Sequence, residues 1–196
     1  MRKKSHISVA KGVINGLDIG DRINHRFAFY VGSIWPDCIP SFITKRHCID
    51  DTFEILMKRM NKFINKFNPE KDMNSLSTWR MGVVLHYIAD YFTFPHNTHY
   101  TGSLKEHCIY EEKLKHRMYR YIDELNVAEC METKCVLPGV AEIERFIREK
   151  HEQYMNLSGN VDDDCKYAVL SCISVMASLL SIVSIRNEAV VSDMAA

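Results

Sequence analysis

Apolar residues recur at steps of three and four along most of the chain, the period of helices that bury one face. Near the start, Ile7, Ala10, Val13, Ile14 and Leu17 form such a stripe, and Ser5 stands where an N-cap belongs. Asp50 or Asp51 opens a second helix, along which Phe53, Leu56, Met60, Phe63 and Phe67 recur. Residues 79–92 read as a third. Ser103 and Glu106 make a capping box before a long fourth helix that carries Leu114, Met118, Ile122 and Leu125. Residues 141–154 give a fifth. No run alternates with period two between turn signals, and no segment repeats. The pattern predicts an all-α fold, a single-domain multi-helix bundle over residues 1–196.

Residues 167–185 lack a formal charge and are about long enough to span a bilayer. They also hold Ser171, Ser174, Ser178, Ser181 and Ser184, a small-residue stripe at helical spacing. A core helix packed closely on its neighbours explains that stripe better than a transmembrane helix does, so a core helix is expected, with membrane association as the alternative. The basic N-terminus never reaches a continuous apolar run, being interrupted at Lys11 and Asn15, and does not read as a secretory signal. The seven cysteines are odd in number and scattered, which suggests free thiols and a cytoplasmic location. Cys130 and Cys135 form a C-x4-C pair, but no second pair stands near to complete a zinc site. Lys and Arg together number 25, as do Asp and Glu, so no basic excess favours a nucleic-acid partner.

The chemistry concentrates in LHYIADYFTFPH and GSLKEHCIYEE. His86 and Asp90 are four apart and share a helix face; His96 follows just after Pro95. His107 and Glu111 are again four apart, on the stripe that continues through Leu114 and Met118. One such pair alone reads as a helix-surface hydrogen bond. Two pairs with a histidine between them, on the inward side of consecutive helices, supply the nitrogen and oxygen ligands of a bundle metal site. Upstream, His6 lies on the apolar face of the first helix, Asp37 in the Gly/Pro-punctuated loop GSIWPDCIP, and His47 just before a helix. Taken singly, these read as a core histidine, a turn residue and a loop residue. His25, His99, His116 and His151 match no ligand position.

The order of these residues resembles the zinc-dependent phospholipase C family, whose all-helical fold is shared with single-strand-specific zinc nucleases. That family's pattern has an early His, a Gly-x-x-x-Pro-Asp loop, a downstream His, then His-x3-Asp-x5-His and His-x3-Glu. His6, Gly32 to Asp37, His47, His86, Asp90, His96, His107 and Glu111 match it in turn. The resemblance implies a zinc cluster between helices. One ion would be held by Asp37, His47, His86 and Asp90, and a second by His96, His107 and Glu111. A third would be held by His6 and a bridging Asp90, its shell completed in secreted relatives by a free N-terminal tryptophan. This chain begins Met-Arg-Lys-Lys instead, so two or three zinc ions are expected.

The implied activity is phosphodiester hydrolysis of phospholipase C type, with activated water attacking a phospholipid and Asp37 as catalytic base. A nuclease or other phosphoesterase on the same scaffold, or a non-catalytic metal-binding helical protein, are the alternatives. The implied partner is a phospholipid or another phosphodiester, met in transient contact with a membrane surface, with no protein partner indicated. Cys38 follows the loop aspartate where relatives that cleave choline lipids tend to place an aromatic ring. Tyr91, Phe94 and Tyr100 are candidates to line the pocket, and Tyr87 or Tyr110 to orient ligands.

Overall fold

The computed structural model describes residues 1–17, 19, 25–39, 47–68, 73–157 and 159–194, with the side chains of 187–194 set aside. The described residues form eight α-helices and no strand. They are α1 (Lys3–Gly16), α2 (Arg26–Ile34), α3 (Ile49–Lys66), α4 (Ser75–Tyr91), α5 (Leu104–Asp123), α6 (Val127–Thr133), α7 (Val140–Met155) and α8 (Val161–Met194). Short 3-10 turns at Trp35–Cys38 and Phe94–His96 follow α2 and α4.

α4 lies at the centre and is buried without a break from Met81 to Tyr91. An apolar, all-round sequence of this kind needs neighbours on every side, and α2, α3 and α8 supply them. α1 turns His6, Val9, Ala10, Val13 and Ile14 inward, leaving Ile7 half-buried at the edge of the stripe. The α5 capping box forms as read: Ser103 accepts from the Glu106 N–H, and Glu106 accepts from the Ser103 N–H.

Three local readings are corrected. Ser5 does not cap α1; the helix starts two residues earlier and Ser5 is buried inside its first turns. The segment from Gly32 to Asp37 is no loop, because α2 runs through Gly32 to Ile34 and a 3-10 turn carries Asp37. The glycine is there for close approach. A Cβ on Gly32 would strike the Trp79 carbonyl oxygen, and one on Gly82 the Phe29 carbonyl oxygen, so α2 and α4 cross backbone to backbone. Leu125 falls beyond the end of α5 and packs on the core from there.

α8 contains a stretch, Val161–Arg186, long and apolar enough to cross a membrane by length and composition, and 67% of its most apolar window is buried in the protein. Its serines act as backbone partners. Ser174 Oγ accepts the Cys135 N–H at 3.1 Å, and Ser178 Oγ accepts the Leu137 N–H at 2.9 Å while donating to the Ser174 carbonyl. The chain between α6 and α7 thus docks on α8 with its polar groups satisfied, as burial requires. All seven cysteines are free thiols. Cys130 is buried in the core and Cys135 is exposed, and neither belongs to the metal-capable groups among the described residues.

Candidate metal centre

Five pieces of backbone converge beside α4. Helix α1 contributes His6, and the 3-10 turn after α2 contributes Asp37. His47 stands just ahead of α3, and α4 contributes His86 and Asp90 one turn apart. The second 3-10 turn contributes His96, and α5 contributes His107 and Glu111 one turn apart. All eight residues singled out in the sequence meet here.

Two donor groups have their ligand atoms within 4.8 Å of one another: Asp37, His47, His86 and Asp90 in one, and His96, His107 and Glu111 in the other. In the first, His86 Nε2 is 2.9 Å from His47 Nδ1, and each is 3.2 Å from Asp90 Oδ2. In the second, Glu111 Oε1 is 3.2 Å from His107 Nε2 and 3.3 Å from His96 Nε2. Asp90 spans more than one group. Its other oxygen, Oδ1, lies 3.3 Å from His6 Nε2 and 2.5 Å from the α-amino nitrogen of Met1. That nitrogen is also 2.8 Å from His96 Nε2 and 3.4 Å from Glu111 Oε1.

The donor chemistry fits metal ions. The Ser33 carbonyl lies 2.9 Å from His86 Nδ1. A carbonyl only accepts, so that nitrogen carries the hydrogen and Nε2 turns a bare lone pair toward the cluster. His6, stacked on the His86 ring at 4.0 Å, is wholly buried, and neither of its ring nitrogens has a hydrogen-bond partner. Buried nitrogens left in that condition cost free energy unless a cation or proton binds them.

Electrostatics follow the crowding. Burial alone would raise the Asp90 carboxyl, but His96, the Met1 ammonium, His6 and His86 hold it well below the usual carboxylate range. Glu111 behaves alike: burial is outweighed by hydrogen bonds from His107 and His96. Burial, reinforced by His86, keeps the His6 imidazole well below the ordinary histidine range. Burial also lowers His96. The Met1 ammonium is raised despite burial, because Asp90 and Glu111 face it. His6, His86 and Asp90 are sealed, whereas Asp37, His96, His107 and Glu111 reach the surface. The centre therefore has a buried floor and an open rim.

Two cavities reach that rim. One of about 390 Å³ is lined by His47, His96 and His107 together with Tyr100 and Leu104. Of the three aromatic candidates only Tyr100 lines it. Tyr91 is fully buried and shares a hydrogen bond with Thr52, and Phe94 packs between Tyr100 and Tyr110. The second, of about 500 Å³, is lined by Met1, Arg2, Lys3, Lys4, Asp37 and Lys115.

Sequence reasoning missed one supporting group. Asp164, buried at the start of α8, accepts from the Phe94 N–H at 3.0 Å, Tyr110 Oη at 3.0 Å and Tyr154 Oη at 2.6 Å. Tyr110 therefore serves Asp164 and does not orient a ligand directly; Tyr87 sets its ring edge-on to His47 and His86. The carboxylate anchors the turn carrying His96 and the helix carrying Glu111. In the sequence it is the last of three aspartates in a first helical turn, a pattern that reads as a solvated helix start. The Met1 nitrogen lies beside Asp90 and His96, although the departure from the N-terminal tryptophan of secreted relatives gave no reason to expect it there.

Comparison with curated proteins found no match, and comparison with solved structures found none. A family model described as zinc dependent phospholipase C matches residues 5–161, from the first buried turn of α1 to the first residue of α8. With a bundle of this kind and two metal-capable donor groups inside the matched span, the chain belongs to the zinc-dependent phospholipase C family.

Proposed function

We propose that the protein is a zinc-dependent phosphoric diester hydrolase that cleaves phospholipids between glycerol and phosphate. The observation that carries this reading is the position of Asp90, whose two oxygens face different donor groups across a buried cluster of lone pairs. Asp37, His47, His86 and Asp90 would hold one zinc ion, and His96, His107 and Glu111 a second. His6 and Asp90, with the Met1 amino nitrogen beside them, would hold a third. When bound, zinc supplies Lewis acidity: it withdraws charge from phosphate oxygens and lowers the pKa of water toward ~7.

The chain's own groups do the rest. Asp37, which lies near His47 and His86 and lines the 500 Å³ cavity, would orient the attacking water and take its proton. As the water oxygen bonds to phosphorus, the bond to the glycerol oxygen breaks. The departing alkoxide takes a proton from solvent, leaving diacylglycerol and a phosphorylated head group. The Ser33 carbonyl fixes the His86 ring, and the sealed floor keeps bulk water from the buried ligands. Leu104, 78% exposed on the rim of the smaller cavity, gives the site an apolar lip for transient contact with a lipid surface.

Metal analysis of the purified protein, paired with hydrolysis of bis(p-nitrophenyl) phosphate and of phospholipid micelles, tests this reading. Two or three zinc ions per chain with zinc-dependent hydrolysis are expected. Zinc without hydrolysis would leave a non-catalytic metal protein, and no zinc from a metal-replete preparation would end the proposal.

A further inference from the structure

The larger cavity at the rim has an uneven charge. Its volume, about 500 Å³, lies in the usual range for small-ligand sites. Asp37 on its wall is committed to the cluster. The other charged side chains lining it are Arg2, Lys3 and Lys4, at the start of α1, and Lys115 on α5. Among the described residues the acid facing them is Glu112, which ion-pairs with both Arg2 and Lys115. Arg2 also donates to the Cys108 carbonyl at 3.2 Å, which fixes its guanidinium at the wall. Lys3 and Lys4 are exposed and make no ion pair with described residues. Among the described residues, and with Asp37 set aside, four cationic side chains thus meet one carboxylate and no aromatic ring lines the cavity.

A quaternary ammonium is recognised by π faces and carboxylates, both scarce here. Lysine and arginine at this density attract phosphate and carboxylate groups instead. We infer that this cavity is the head-group subsite, and that it takes phospholipids whose head group bears a further anionic group, such as a phosphomonoester, in addition to the scissile diester. The inference rests on the phosphodiesterase reading for its reaction, but the binding preference stands on the cavity itself. Because Asp37 belongs both to the cluster and to the cavity wall, a scissile phosphate held at the cluster would leave its head group beside Lys3, Lys4 and Lys115.

The test uses two deacylated diesters, glycerophosphoinositol 4-phosphate and glycerophosphocholine, with binding to the zinc-loaded protein measured by calorimetry. The anionic diester is expected to bind at least about tenfold tighter. The Lys3→Gln/Lys4→Gln double variant and, separately, Lys115→Gln on the other helix should each shrink that ratio several-fold, while melting curves report that the variants fold. Equal binding, or a preference for the choline diester, overturns the inference. So does a preference for a single-stranded oligonucleotide over both, which would assign the cations to a polynucleotide. Preference without hydrolysis of any diester supports the subsite and fails the enzyme reading. Hydrolysis without preference does the reverse.

Discussion

Gly32 of α2 and Gly82 of α4 face each other where the two helices cross, each occupying space that a side chain on the other would need. The contact has a chemical consequence one turn further along α4. It brings the Ser33 carbonyl to His86 Nδ1 at 2.9 Å, and so decides which nitrogen His86 offers to the cluster. Gly82→Ala would push its new methyl into the Phe29 carbonyl and part the helices. We expect a loss of about 2 kcal/mol of stability, in the range for overpacking a tight core. Bound zinc should fall with it, read by chemical denaturation and metal content of the same sample. A Gly82→Ala variant of wild-type stability and full zinc content would show the crossing to be slack.

Asp90 should be the most costly ligand to remove, because its oxygens face His47 and His86 on one side and His6 and Met1 on the other. Asp90→Ala is expected to lower zinc content by more than one ion per chain and to reduce kcat by about a thousandfold or more. Glu111→Ala, confined to one donor group, should lose about one ion. Near-normal activity in the Asp90 variant would contradict the bridging role.

Zinc removal should destabilise the fold as well as silence it. His6, whose ring makes no hydrogen bond, and the facing nitrogens of His47 and His86 offer lone pairs that a cation satisfies. Free zinc at a hundred times its Kd stabilises by about 2.7 kcal/mol per site. For a chain of this size that corresponds to a melting point roughly 5–10 °C higher. Scanning calorimetry with and without a chelator checks it, and identical melting points would mean that the cluster does not depend on metal.

The helices with regular apolar spacing and the spaced ligands of α4 and α5 were legible in the sequence, because both rest on the same helical repeat. What escaped notice depended on tertiary proximity. Gly32 and Pro36 read as loop punctuation, although the glycine serves a helix crossing and the proline starts a 3-10 turn. Ser5 has the chemistry of a cap, but Arg2 takes that position and Ser5 is drawn inside. The single aspartate of its triplet that turns inward, Asp164, is distinguished only by the two tyrosines and the backbone N–H that reach it from other elements.

Asp164 also gives the protein a pH signature. Burial pushes its carboxyl up to about 7, with the Tyr154, Phe94 and Tyr110 donors pulling the other way. The unfolded value is about 3.9. Between these two the folded state binds the extra proton, so stability falls as pH rises from about 4 to about 7 and is flat above. Asp164→Asn removes that slope. In saturating zinc, the stability of the variant relative to wild type should rise across this window, by a few kcal/mol at most, and a constant difference would refute the assignment. Asp164→Ala, which leaves three donors without an acceptor, should cost roughly 3 kcal/mol or more at any pH.

The serine stripe of α8 separates two meanings of a small residue. In a bilayer interface the stripe would serve close helix approach, for which alanine is as good as serine. Here Ser178 Oγ accepts the Leu137 N–H and donates to the Ser174 carbonyl, so the hydroxyl matters as well as the size. Ser178→Ala should therefore destabilise by ~1–2 kcal/mol, the cost of a buried N–H left without its partner. Ser184→Ala, at an exposed position, should stay within about 0.5 kcal/mol. The wild-type protein is expected in the detergent-free fraction after lysis. A neutral Ser178→Ala variant, together with recovery only in detergent, would move α8 from the core of the bundle into the membrane.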